Sequence, residues 1–156
     1  MAHIQFVESS YDNNDAVEKV INYFIRPDIN NKIYVGGMGV NIYSADTVIA
    51  DFYRIKKLYE KIQGRQVRHC ILAFDMIEEV FTPEQAINLA YQVTNYYCDY
   101  QAFFAVHTDT SYLHIHFCFN TVSYVNGTMY REGSVDLELF KEYAKECIKQ
   151  ELKNKY

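Results

Sequence analysis

Three of the five histidines, His107, His114 and His116, fall within ten residues, and imidazoles clustered this way suit joint coordination of one divalent ion. In the run Leu113-His114-Ile115-His116-Phe117-Cys118-Phe119-Asn120, apolar and polar residues alternate, which is the period of a strand with one face in a core. Leu113, Ile115, Phe117 and Phe119 then form the apolar face, and His114, His116, Cys118 and Asn120 share the other. Two imidazoles two residues apart on a strand lie about 7 Å from one another, so a third ligand has to come from a neighbouring strand. His107 supplies it if the residues through Asp109 turn back as a hairpin. Asp109 and Asn120 are candidates to orient an imidazole or to face a substrate. Their plainer roles are turn chemistry for Asp109 and a strand-end hydrogen bond for Asn120. His69 opens another expected strand and stands either near the cluster or in a purely structural role.

Such a hairpin needs a sheet and helices to hold it. Residues 2–7 alternate enough for a first strand, and capping residues among Asp12 to Asp15 precede a helix running to Arg26, where Pro27 ends it. The apolar stripe of that helix is Val17, Val20, Ile21 and Phe24. Residues 30–43, with Gly36, Gly37 and Gly39, read as a turning connection before a second helix from Ser44 or Asp46 to about Ile62. A strong strand follows at 66–74, then a helix opened by Thr82-Pro83-Glu84 and running to about Tyr97. Strands at 101–107 and 112–124 are joined by Thr108 to Ser111, and a turn at Asn126-Gly127 leads to a short strand at 128–131. An amphipathic helix over 135–153 closes the pattern. This order predicts an α+β fold, a mainly antiparallel sheet covered by helices.

With 156 residues, 18.4 kDa and 49% hydrophobic residues, the chain suits one domain with a real core. No run approaches the length of a membrane span and residues 1–8 lack the features of a secretory signal, so no membrane insertion and a cytoplasmic location are expected. Four cysteines without C-x-x-C spacing suit buried reduced thiols better than disulfides or a zinc knuckle. The net charge of −5 argues against a nucleic-acid partner, but it conceals a division. Residues 69–130 contain six acids and no Lys or Arg, whereas residues 52–68 hold Arg54, Lys56, Lys57, Lys61, Arg65 and Arg68 against the single acid Glu60. With Tyr53 and Tyr59 interleaved, that stretch suits phosphate neutralisation and base stacking on single-stranded DNA, the alternative being a solvated helix face.

The stretch His107-Thr-Asp-Thr-Ser-Tyr-Leu-His-Ile-His-Phe-Cys-Phe-Asn120 resembles the three-histidine motif of the relaxase or mobilisation nuclease family, the HUH-type tyrosine endonucleases of conjugative DNA transfer. Supporting stretches run along almost the whole chain. Val20 to Pro27 resembles the family's first-helix segment, Gly39-Val40-Asn41 the next block, Arg68 to Phe74 its H-x-x-x-S-F strand, and Phe81 to Ala86 the following helix start. Two departures stand out: many members have a histidine where this chain has Tyr112 and a serine where it has Ala73.

The resemblance implies an HUH-endonuclease fold, with residues 1–156 as one catalytic domain shorter than family proteins, which usually continue further. It implies a nick in single-stranded DNA at a transfer origin by a tyrosine nucleophile, leaving a 5′-phosphotyrosine, for mobilisation of a plasmid or other mobile element. Relaxosome accessory proteins and a coupling protein would be further partners. The family position points to Tyr23, with Tyr11 second; on a helical wheel Tyr23 lies roughly 110° from the middle of the apolar stripe, flanking the packed face. His107, His114 and His116 would hold Mg²⁺ or Mn²⁺, and three imidazoles suit Mn²⁺ at least as well as Mg²⁺. Two other readings stand beside this one: a three-histidine hydrolase using activated water, and a non-catalytic single-stranded-DNA-binding or replication-associated module with a structural metal.

Overall fold

The computed structural model describes residues 2–26, 34–74, 81–108 and 112–154. In chain order the elements are β1 (His3–Phe6), α1 (Ala16–Phe24), β2 (Tyr34–Met38), α2 (Ala45–Leu58), β3 (Val67–Ala73), α3 (Pro83–Thr94), β4 (Tyr100–His107), β5 (His114–Ser123) and α4 (Ser134–Lys153). The five strands form one sheet in the order β1-β3-β5-β4-β2, every neighbouring pair antiparallel, so the expected α+β class is the observed one.

Alternation in β5 builds the middle of the molecule. Ile115, Phe117 and Phe119 pack with Leu89, Val93, Phe104, Phe140 and Ile148 under α3 and α4. The opposite face carries Cys118, Phe103 and Ala105 against Val17, Ile21, Phe24, Val48 and Phe52 of α1 and α2. Helices therefore cover both faces. The caps explain the helix starts: Ser44 accepts from the Thr47 amide, and Thr82 accepts from the Gln85 amide with Pro83 in the first turn. At α1 the cap is Asp15, whose side chain makes no capping bond and pairs instead with Lys19 at 3.1 Å.

Four sequence expectations change. The glycine stretch contains β2, an edge strand, because Gly36 and Gly37 serve close packing: a Cβ at Gly36 would stand 2.5 Å from the Phe104 ring. Helix α2 stops at Leu58, short of Ile62, because Glu60 takes a left-handed φ of 56° and the Lys61 amide donates to the Lys56 carbonyl at 2.8 Å, a Schellman closure without glycine. The short strand at 128–131 reduces to a single bridge, Val122 with Met129. Of the cysteines, Cys70, Cys118 and Cys147 are buried, but Cys98 is exposed, since it lies just beyond the turn that follows α3. No helix among the described residues is long and apolar enough to cross a membrane. Pro27, the expected end of the first helix, lies outside the described residues.

Candidate functional site

The hairpin register delivers the histidine cluster. His107, last in β4, pairs directly with His114, first in β5, and His116 lies opposite Ala105. The ring centroids of His107 and His116 are 4.2 Å apart, those of His107 and His114 5.3 Å, and those of His114 and His116 5.0 Å. One nitrogen from each ring lies within 4.8 Å of the other two. His107 and His116 are buried, and His114 is partly exposed.

Hydrogen bonds decide which nitrogens bear protons. His107 Nε2 lies 2.9 Å from the Phe24 carbonyl and His114 Nδ1 lies 3.2 Å from the Tyr112 carbonyl. A carbonyl only accepts, so both of those nitrogens donate, leaving the lone pair on His107 Nδ1 and on His114 Nε2. Burial, then the neighbouring imidazoles and Arg26, pushes His116 down to about 2. An imidazole with one nitrogen committed to a hydrogen bond and a lone pair on the other is what a divalent ion needs, so the three residues fit a metal.

The bond from His107 to Phe24 has a second effect. It satisfies a carbonyl at the end of α1, where intrahelical donors run out, and ties the helix terminus to the cluster. Tyr23, one residue earlier, is thereby set over the site: its ring centroid is 5.7 Å from that of His116 and 6.3 Å from that of His107. Val17, Val20, Ile21 and Phe24 are buried as the apolar stripe requires, while Tyr23 remains 46% exposed. A cavity of about 400 Å³ beside the histidines is lined by Tyr11, Lys19, Tyr23, His69 and His116, among others.

His69, open in the sequence between the cluster and a structural role, and Tyr11, the second tyrosine candidate, also meet here, with Arg26 and Lys19, which the sequence reading did not single out. His69 Nε2 is 2.8 Å from His116 Nδ1, and His69 Nδ1 is 3.0 Å from the Tyr11 hydroxyl. Arg26 places its guanidinium 4.2 Å from the centre of the Tyr23 ring and donates to the Tyr23 carbonyl at 2.9 Å. Lys19 stands one turn before Tyr23 on α1 and Arg26 three residues after it, just past the helix end, and that spacing was the available signal.

Other expected site residues fall elsewhere. Asn120 is fully buried toward the far end of β5, donating to the Phe52 carbonyl and Gln101 and accepting from Lys56 Nζ at 2.6 Å; it faces no substrate. Lys56 is buried because its ammonium is spent on Asn120 and the Gln66 carbonyl. Arg68 is 3% exposed, its guanidinium lying 3.6 Å from the centre of Tyr130 and near Phe6 and Tyr97 on the α3/α4 side. Neither is available to a DNA strand. Arg54, Lys57, Lys61 and Arg65 are exposed, Arg54 paired with Asp51 at 2.9 Å and Lys61 donating to the Gly127 carbonyl. Asp109 lies outside the described residues.

Comparison with known proteins follows the same lines. The family described as "Relaxase: MobA/VirD2-like, nuclease domain" matches residues 23–152. No curated protein matches at the level of sequence. A solved structure described as "Molecular Basis of Vancomycin Resistance Transfer in Staphylococcus aureus" superimposes with a TM-score of 0.63 at 11% identity, covering 99% of this chain and 94% of that one. That likeness is one of fold.

Proposed function

Because the chain belongs to the MobA/VirD2-like relaxase nuclease family, we propose that it nicks single-stranded DNA at a transfer origin with Tyr23 as nucleophile. The observation that carries this is the half-exposed Tyr23 ring above three clustered imidazoles, on a helix end bonded to one of them. The Tyr23 oxygen attacks the scissile phosphorus as the phenol gives up its proton. The bond to the 3′ oxygen breaks, that oxygen leaves as a 3′-hydroxyl, and the 5′ phosphate remains on Tyr23. The reverse attack by a 3′-hydroxyl reseals or transfers the strand, since a phosphodiester is exchanged for a phosphodiester.

His107, His114 and His116 would hold the divalent ion through His107 Nδ1, His114 Nε2 and one nitrogen of His116. When bound, Mn²⁺ or Mg²⁺ would supply Lewis-acid polarisation of a non-bridging phosphate oxygen. Lys19 and Arg26 flank Tyr23 and neutralise the phosphate charge that the acidic stretch 69–130 does not. Arg54, Lys57, Lys61 and Arg65 offer a track for the strand leading to the site, and accessory proteins of transfer would supply contacts beyond this domain.

The test is incubation of the protein with a labelled origin oligonucleotide and Mn²⁺. A protein-linked product that survives denaturation is expected, and Tyr23→Phe should abolish it. Cleavage by Tyr23→Phe without an adduct would replace the reading with activated-water hydrolysis; binding without cleavage by the parent would replace it with a binding module.

A further inference from the structure

His116 differs from the other two imidazoles of the cluster. A carbonyl settles which nitrogen of His107 and of His114 carries the proton, but His116 faces a third ring, His69, whose nitrogens can each donate or accept. If His116 Nδ1 donates to His69 Nε2, the lone pair on His116 Nε2 is available to a cation. If the bond runs the other way, a proton occupies that nitrogen and opposes one. His69 in turn meets the Tyr11 hydroxyl at 3.0 Å through its other nitrogen, so the three groups stand in series. His69 and His116 are 7% and 3% exposed, so little solvent is at hand to substitute for a missing partner.

Tyr11 is held in place from a distance. Its backbone has a φ of 45°, a left-handed conformation that is uncommon for an aromatic residue, and its carbonyl accepts from the Gln66 amide at 2.8 Å just before β3 begins. An unusual conformation pinned in this way keeps the phenol beside His69. Tyr11 also lines the cavity shared by Tyr23 and His116.

We propose that Tyr11 and His69 are positioning residues whose hydrogen bonds in series, from His116 Nδ1 to His69 Nε2 and from His69 Nδ1 to the Tyr11 hydroxyl, hold His116 with its Nε2 lone pair toward the cluster. This rests on the proposal that the cluster binds a divalent ion. The phenol is the end of the series because it both accepts from His69 and keeps a proton of its own to direct elsewhere. Neither residue touches the reacting phosphate.

The experiment compares the parent, His69→Leu, His69→Gln and Tyr11→Phe by calorimetric titration with Mn²⁺ and by long-range ¹H–¹⁵N spectra of the metal-free proteins. His69→Leu should weaken Mn²⁺ binding by about 10- to 100-fold, the usual effect of losing a partner behind a ligand. His69→Gln should recover most of that loss, because its amide oxygen reaches His116 Nδ1–H and its amide nitrogen keeps a donor for Tyr11. Tyr11→Phe should fall between Gln and Leu. The spectra should show the His116 proton on Nδ1 in the parent and a mixture in His69→Leu. Equal Mn²⁺ affinity in all four proteins, or a Gln variant as weak as Leu, would overturn the relay. If the parent binds no Mn²⁺, the metal reading of the site fails, and the spectra alone decide the relay: the same His116 tautomer in the parent and His69→Leu refutes it.

Discussion

A lysine ammonium at full burial is the most expensive group in the fold to keep charged, and Lys56 is such a group. Burial pulls it down to about 8 against the opposing influence of Cys118, while Asn120 and the Gln66 carbonyl accept its protons. Its value in the folded chain lies below that in the unfolded chain, so between about pH 8 and 10.5 the unfolded state holds the extra proton and stability rises with pH. Lys56→Met strands the oxygens of Asn120 and Gln66 and should cost roughly 1–3 kcal/mol at pH 7. The parent should then gain about 1.4 kcal/mol per pH unit over the variant as pH rises through that window. Denaturant titrations at pH 7.5 and 9.5 check both points; an unchanged gap would show that the burial cost is absent. Nothing near Lys56 in sequence announces this fate, because its main side-chain partner, Asn120, is 64 residues away. His69 is similar: its distance from His116 depends on the register between β3 and β5, which spacing along one strand does not convey. The direct pairing of His107 with His114 was legible, since a hairpin leaves few other registers.

Among elements, β2 is the instructive case. Glycines ordinarily signal turns, and Gly36 and Gly37 were read that way, but here Gly36 lets an edge strand lie against crowded rings and Gly37 lets it close on Val40 and the Ala102 carbonyl. Phe104 is fully buried and the Tyr91 hydroxyl would stand 2.9 Å from a Cβ at Gly36, so the neighbours have little room to yield. Gly36→Ala should therefore destabilise by about 1–3 kcal/mol, the cost of overpacking, even though alanine favours no worse a backbone. Thermal unfolding measures it, and an unchanged Tm would mean that β2 shifts outward without penalty. Helices α3 and α4 matched expectation closely because cap and stripe both lay within their own sequence: Thr82-Pro83 at one start and a regular apolar series through α4. Helix α2 did not, because its end is set by a left-handed Glu60 where sequence rules anticipate glycine.

At the scale of the whole molecule, the proposed binding of a polyanion by a chain of net charge −5 requires a local basic surface. Arg65 borders a cavity of about 710 Å³ together with His69, and Lys57 borders another of about 350 Å³ with Tyr53. Each contact with a single strand should contribute about 0.7 to the slope of log affinity against log salt. Replacing both Lys57 and Arg65 by alanine is expected to flatten that slope by about 1.4 in an anisotropy titration, each lost contact counting once. Lys56→Met should leave it unchanged; a slope lowered by Lys56→Met and untouched by the double variant would move the strand elsewhere. The sheet order also ranks its pairings by chain entropy. His107 meets His114 across seven residues, whereas His3 meets Ala73 across seventy, and closing the longer loop costs about 2 kcal/mol more. The histidine hairpin is thus the most self-sufficient part of the site, assembled by its own local chain. Tyr23 depends on a helix joined to that hairpin across more than eighty residues, so fraying of the distant strands would displace the proposed nucleophile while leaving the three imidazoles together.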